Sequence, residues 1–368
     1  MREVVVAVWC TAGVVLAAGG GAHASVNQTP NRQVVPENAS EDHLVQKIRR
    51  LGEVARGDVS TAVQANRAVA AEELLLSYVD ALLKRYPNSA FKEEALTGKL
   101  RSLAHLARSN QVHLAQLLSL THELSEADVS GTLACENAYY SIQAFVLGAR
   151  REAMPLQRRL RGAIERYRAF LEDFPRSSHA PVIRASLIRD LFATNDGPQA
   201  FLEFAKLKQE HPDHPATRRA AGEVNKLRAL GRPFNRVLTT SAGQTVHTAD
   251  HMGKVLVIQF WASSSQKAVE QIAELVQLYH EHRDDGLDVV AINLDRDEKL
   301  ARKAIEASGA PWPQYFEPKG VESDVVIDYG VVALPTCFIL DRNGMLRTID
   351  PGEKLSEIVR RLLTEQRR

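Results

Sequence analysis

Few residues in this chain have the types and spacing that chemistry needs. Cysteines stand at Cys10, Cys135 and Cys337, and a run of hydroxyls, Ser263 to Ser265, follows an apolar stretch from Lys254 to Trp261. A serine nucleophile needs a base and an orienting acid, and no Gly-x-Ser-x-Gly elbow surrounds Ser265. The run offers helix N-caps instead, with Gln266 three residues after Ser263 as a candidate capping box. His247, Asp250 and His251, and the pair His211 and His214, have spacings a metal can use, but both groups fall in predicted turns. Asp295, Asp297 and Glu298 end one predicted strand and start a helix, where negative charge is favoured. No metal and no cofactor are expected.

The elements that must position these residues alternate between strand and helix. Lys254 to Trp261 is short and β-branched, as a buried central strand would be. Val269, Ile272, Leu275, Val276 and Tyr279 follow at helical spacing, which predicts a helix from Ser265 to His282. A buried strand feeding a helix N-terminus is where α/β folds gather chemistry, because backbone N–H groups and the helix dipole converge there. A hairpin is predicted at Val237 to Thr240 and Thr245 to His247, and a second apolar strand at Leu287 to Leu294. Helices are predicted at Glu298 to Ser308, Val321 to Tyr329 and Glu353 to Glu365. Thr336 to Asp341 and Met345 to Ile349 form a hairpin around Arg342-Asn343-Gly344.

Gly231-Arg232-Pro233-Phe234 breaks the pattern and sets a predicted domain boundary, with residues 40–230 all helical before it and 231–368 of α/β type after it. The helical region carries an internal punctuation. Tyr86-Pro87-Asn88-Ser89, Phe174-Pro175-Arg176-Ser177 and His211-Pro212-Asp213-His214 each close one amphipathic helix and precede another. Pro175 and Pro212 lie 37 residues apart, near the period of helix-hairpin arrays. The pattern resembles the tetratricopeptide-like hairpins of bacterial envelope proteins. Such hairpins stack and leave a groove, which reads either as a protein- or peptide-binding surface or as a support for the second domain. The cluster Arg158, Arg159, Arg161, Arg166 and Arg168 reads as a solvated helix face.

The chain of 368 residues has a net charge of +1, which gives no reason to expect nucleic acid or an anionic membrane as the main partner. Arg2, the apolar run Val4 to Ala18, and Ala22-His23-Ala24 read as a secretory signal peptide over residues 1–24. The apolar run is short of the ~20 residues a membrane span needs, so no stable span is expected after cleavage. The expected destination is the periplasm or the cell exterior. Residues 25–39 are polar, with Pro30 and Pro36, and read as a linker. Cys10 leaves with the signal, and Cys135 and Cys337 read as two separate buried thiols.

Phe260-Trp261-Ala262-Ser263 resembles the approach to the active site of thioredoxin-like proteins, in particular the TlpA/ResA type and the wider, AhpC/TSA-related redoxin group. Pro311-Trp312-Pro313-Gln314, Tyr329-Gly330-Val331, Leu334-Pro335-Thr336 and Phe338 to Gly344 strengthen the resemblance. It implies a thioredoxin-like fold with an extra N-terminal hairpin over 231–368, and a cis proline at Pro335. It also implies Trp-Cys-x-x-Cys, which this chain lacks. Ser265 stands at the nucleophile's position and Ala268 at the resolving position, while Ser264 replaces the tryptophan and Lys267 the proline. Gln259 matches a position where many thioredoxins carry an aspartate. Dithiol exchange needs one thiolate to attack and a second to resolve, and a helix N-terminus helps only a thiol. The Pro-x-x-x-Thr/Ser-x-x-Cys element of peroxiredoxins is absent as well. Cys337, two residues past Pro335, is expected on the opposite face from Thr336, as a core thiol or as the thiol of a one-cysteine redox enzyme.

The expectation is an all-α helical-hairpin domain followed by an α/β thioredoxin-like domain without a dithiol site. It would act as a non-catalytic protein- or peptide-binding protein through Trp261, Ser264, Ser265, Leu334 and Pro335. The alternative is a thiol-disulfide oxidoreductase or antioxidant protein working through one cysteine.

Overall fold

A computed structural model describes residues 35–57, 62–127, 129, 131–331 and 333–365. The signal peptide expected at 1–24 and the first part of the linker lie outside the described residues. By packing, the chain divides between Asp190 and Leu191 into two compact units.

The first unit is built from α1 (Glu41–Ala55), α2 (Ala62–Arg85), α3 (Lys92–Leu106), α4 (Gln111–Glu126), α5 (Gly131–Arg151), α6 (Leu156–Asp173) and most of α7 (Ala180–Ala193). Neighbours in sequence pack on one another from α1 through α6, as helical hairpins do. Ser40 starts α1 by accepting from the His43 N–H at 3.3 Å, and Asn110 starts α4 by accepting from Val112 at 2.8 Å. Leu44, Val79 and Leu82 fill the space between α1 and α2, while Leu100, Leu117 and Ala144 fill that among α3, α4 and α5. Each fully buried leucine is worth roughly 1.5–3 kcal/mol. Residues 35–39, placed in the linker on sequence, are tied to the end of α2: the Arg85 guanidinium donates to Pro36 O at 2.8 Å and the Tyr86 hydroxyl to Ala39 O at 3.3 Å. Along α6, Arg158, Arg161, Arg166 and Arg168 are exposed and Arg159 is half-buried.

The second unit opens with α8 (Gly197–Glu210) and α9 (Pro215–Ala229), joined by a turn in which the His214 ring accepts from the Ala216 N–H at 3.1 Å. There follow β1 (Val237–Thr239), β2 (Thr245–His247), β3 (Val255–Trp261), α10 (Gln266–His282), β4 (Leu287–Asn293), α11 (Glu298–Ser308) and β5 (Gln314–Phe316). Then come α12 (Asp324–Asp328), β6 (Thr336–Leu340), β7 (Leu346–Ile349) and α13 (Leu355–Thr364). The main sheet has the order β5-β4-β3-β6-β7, with β3, β4 and β5 parallel and β6 and β7 antiparallel to their neighbours. β1 and β2 form a separate hairpin.

β3 is buried at every position, which explains its unbroken apolar run. One face of the sheet packs Val257, Trp261, Cys337 and Ile339 against Ala268, Ile272 and Leu275 of α10 and Leu355 and Val359 of α13. The other face packs Ile258, Phe260 and Phe338 against Phe234, Leu238, Val325 and Val326. The single helix expected at 321–329 is a 3-10 turn, Gly320–Glu322, followed by α12; the break falls at Ser323, whose hydroxyl caps α12 by accepting from Val326 N–H at 3.4 Å.

Helices α8 and α9, placed with the helical region on sequence, pack within the sheet-bearing unit. Gly222 on α9 meets the last turn of α12 and the loop after it backbone to backbone: a Cβ there would run into the Ile327 carbonyl oxygen and lie 3.0 Å from the Gly330 nitrogen. Gly330, at φ +62°, faces it, and a Cβ on Gly330 would lie 2.8 Å from Gly222 O. Lys226 donates to Gly330 O at 2.8 Å, and Arg218 reaches Asp324 at 2.7 Å and Asp328 at 3.0 Å. Even the break at Gly231–Phe234 is pinned to the sheet edge, since Gly231 N–H donates to Leu346 O at 2.8 Å and Leu346 N–H to Arg232 O at 2.9 Å.

Candidate functional site

The C-terminal end of β3 runs through Ala262 into the start of α10, opposite the loop that leads into β6. Ser265 is the residue that joins them. Its hydroxyl oxygen accepts from the Ala268 N–H at 3.3 Å, capping α10, and its O–H donates to the Leu334 carbonyl at 3.3 Å. The Leu334–Pro335 peptide bond is cis. Ser264 is exposed, and Ser265, Ala333, Leu334 and Pro335 are half-buried, so the loop edges are open to solvent. Val269 adds an exposed apolar side chain on the first turn of α10. Ala268 faces the other way, fully buried against the sheet.

Ser263 does not cap the helix. Its backbone N–H donates to both carboxylate oxygens of Asp295 at 3.1 Å, and its hydroxyl donates to one of them at 2.9 Å. Asn293 donates to the same carboxylate at 2.9 Å, which holds the ends of β3 and β4 side by side. Gln266 reaches Glu270 at 3.0 Å, so no capping box forms between Ser263 and Gln266. Asp297 caps α11 by accepting from Lys299 and Leu300.

Below the loop lies a polar thread. Gln259 and Cys337 sit opposite each other on β3 and β6, and both point toward Gln271 of α10. The Gln259 amide donates to Gln271 Oε1 at 3.1 Å, and the Cys337 thiol to the same oxygen at 3.0 Å. Cys337 is 1% exposed. Burial raises its pKa well above that of an ordinary thiol, and the carboxylates of Asp350 and Glu274 push it the same way. The Cys337 N–H donates to Asp350 Oδ1 at 3.0 Å, and burial raises the pKa of that carboxyl too.

Of the residues named on sequence, the fold brings Ser264, Ser265, Leu334 and Pro335 to one surface. Trp261 is buried beneath them, its indole N–H donating to Gln314 at 3.0 Å, so it supports the loop rather than facing solvent. Cys337 lies deeper, on the sheet face covered by α10, and Cys135 is half-buried in the first unit; both are free thiols. His251 pairs with Asp288 at 2.9 Å, and His211 and His214 lie with ring centres 6.4 Å apart in their turn. Among the described residues no three metal-ligating side chains cluster.

Sequence reasoning missed Gln271, Asp295 as the anchor of Ser263, and the reach of α9 to Gly330. Gln271 had a signal: it is the polar member of the stripe Ala268, Gln271, Ile272, Leu275 that faces the core.

A β3–α10 unit facing a cis-proline loop, on a five-stranded mixed sheet with helices on both faces, makes the C-terminal part a thioredoxin-like domain. Residues 232–349 match the model of the AhpC/TSA family. The chain is 23% identical over 123 residues to the thiol-disulfide oxidoreductase ResA of Bacillus thuringiensis, covering 33% of this chain and 69% of that protein. It is 26% identical over 127 residues to ResA of Geobacillus kaustophilus, covering 34% and 71%. Among solved structures it is similar to a thiol-disulfide oxidoreductase from Bacteroides fragilis, at 26% identity and a TM-score of 0.31, over 34% of this chain and 96% of the other.

Proposed function

We propose that this is an exported binding protein, whose thioredoxin-like domain holds extended polypeptide at the cis-proline loop without dithiol exchange. The observation that carries this reading is the state of Ser265. Its oxygen is engaged as a helix cap and its proton is given to Leu334 O, while the position of a resolving thiol is occupied by buried Ala268. An alkoxide there would start several pKa units above a thiolate, and oxygen forms no mixed disulfide. The open edge at Ser264, Leu334 and Pro335 suits backbone contacts to an extended chain. The stacked helices of the first unit offer a second protein-binding surface of tetratricopeptide-like kind. Export rests on the basic start, apolar run and small-residue site within residues 1–24. Among the described residues no helix is long and apolar enough to cross a membrane.

The test is a disulfide-reductase and peroxide-consumption assay on the natural protein beside Ser265→Cys/Ala268→Cys, with peptide binding measured on both. Binding by both proteins, with turnover only in the double variant, is the expected result. Turnover by the natural protein would overturn it.

A second reading, a one-cysteine thiol-disulfide oxidoreductase, draws on the relatives named for that activity. It needs Cys337 to be reachable, and predicts turnover that disappears in Cys337→Ala.

A further inference from the structure

We infer that the second unit carries a binding site for a small phosphate-bearing anion, in the cleft between the end of α9, the Arg232–Arg236 segment and the sheet face opposite α10. The cleft has a volume of about 510 Å³, in the range of small-ligand sites. Its rim carries Arg228, Arg232 and Arg236, all exposed, and its floor is formed by Phe234, Phe338 and Tyr329.

The spacing of four between these arginines looks like one face of a helix, yet α9 ends at Ala229. The chain turns at Gly231, with φ +74°, and runs along the edge of β7. That turn brings three guanidinium groups around one concavity, which a continuing helix would have spread along a solvated stripe. Convergence, not periodicity, makes the cluster.

The rim arginines outnumber the one carboxylate of the lining, Asp328, which shares Arg218 with Asp324 at 3.0 and 2.7 Å, while Glu223 lies 3.2 Å from Lys226. Among the described residues none of the three rim arginines has a carboxylate partner. Two of them rest on rings instead: Arg228 lies 5.0 Å from the Phe201 centroid and Arg236 lies 5.8 Å from that of Phe234. Stacking orients a guanidinium without neutralising it. Arg236 also donates Nη1–H to Asn235 O at 3.0 Å, which fixes its fork beside the cleft. A planar fork of donors matches phosphate oxygens two at a time. Burial raises the pKa of the half-buried Tyr329 phenol, so it remains a proton donor. Phe234 and Phe338 are buried beneath the cleft, and the half-buried Tyr329 ring, packed edge-to-face on Phe234, is the aromatic group of the floor that a ligand can touch.

The experiment is isothermal titration of the full-length protein with pyrophosphate, ADP and adenosine, each at low and at physiological salt. Pyrophosphate and ADP are expected to bind, with affinity falling as salt rises. Arg232→Ala and Arg236→Ala are each expected to weaken binding about tenfold or more. Arg302→Ala, on exposed α11, should leave it unchanged. Tighter binding of ADP than of pyrophosphate would place a ring on the aromatic floor, and equal binding would reduce the site to a phosphate subsite; both support the inference. Failure of both anions to bind, binding that ignores the rim substitutions, or binding of adenosine equal to that of ADP would overturn it. Unchanged thermal melting of the variants excludes unfolding as the cause of any loss.

Discussion

The Ser265 hydroxyl donates to the carbonyl oxygen of Leu334 at 3.3 Å, so the start of α10 and the cis-proline loop are joined by a side chain that is also the helix cap. Ser265→Ala removes both contacts and leaves the Ala268 N–H without its side-chain partner. A lost N-cap costs about 1 kcal/mol. Urea denaturation should show that loss as a lower midpoint at unchanged slope. Ser265→Asp, which can still cap but cannot donate when ionised, should recover part of it.

Cys337 should be silent in the folded protein. Its thiol is buried and its pKa is raised, so the thiolate is scarce at pH 8. Iodoacetamide labelling followed by peptide mass analysis is expected to mark Cys135 first and Cys337 only once denaturant is added. Equal labelling of both thiols in buffer would contradict the burial seen here.

Gly222→Ala drives a methyl group into the Ile327 carbonyl oxygen, an overlap the two backbones must open to relieve. Overpacking of this kind costs about 1–3 kcal/mol. Ala at Gly148, whose Cβ meets nothing within 4 Å, is the matched control. Thermal melts should separate the two substitutions, with Gly222→Ala lower.

Asp288 carries a pH signature. Burial pushes its pKa up, but hydrogen bonds from His251 and Lys254 outweigh burial and bring it to about 2. A carboxyl whose folded pKa is depressed contributes stability above its unfolded pKa, and that contribution is lost as pH falls through the folded value. Asp288→Asn should therefore be less stable than the natural protein at neutral pH. The difference should shrink between about pH 4 and pH 2. Melting the pair across that range checks the sign.

The fold was largely legible because its signals are local. Helical spacing marked residues 40–230 as helical, and the unbroken apolar run of β3 marked the sheet's centre. β5 escaped because its three residues, between Pro313 and Pro318, are all half-buried and show no alternation. The boundary read at Gly231 and the division by packing are different quantities. A switch of periodicity at Gly231 records a change of secondary structure, whereas packing depends on which faces meet, and α9 meets α12. At the site, the serine at 265 and the alanine at 268 were plain from residue types alone. The Asp295 clasp on Ser263 and the Gln259–Gln271–Cys337 thread join residues distant in the chain, and no local pattern announces them.

The glycine crossing of α9 over the loop at Gly330 bears on modularity. A recombination event, or a protein engineer, splicing at the visible seam of Gly231 would transplant the sheet but strand the helix that clamps its cis-proline loop. A cassette that keeps the crossing intact begins upstream of α8, some forty residues before that seam, where the packing of the second unit starts.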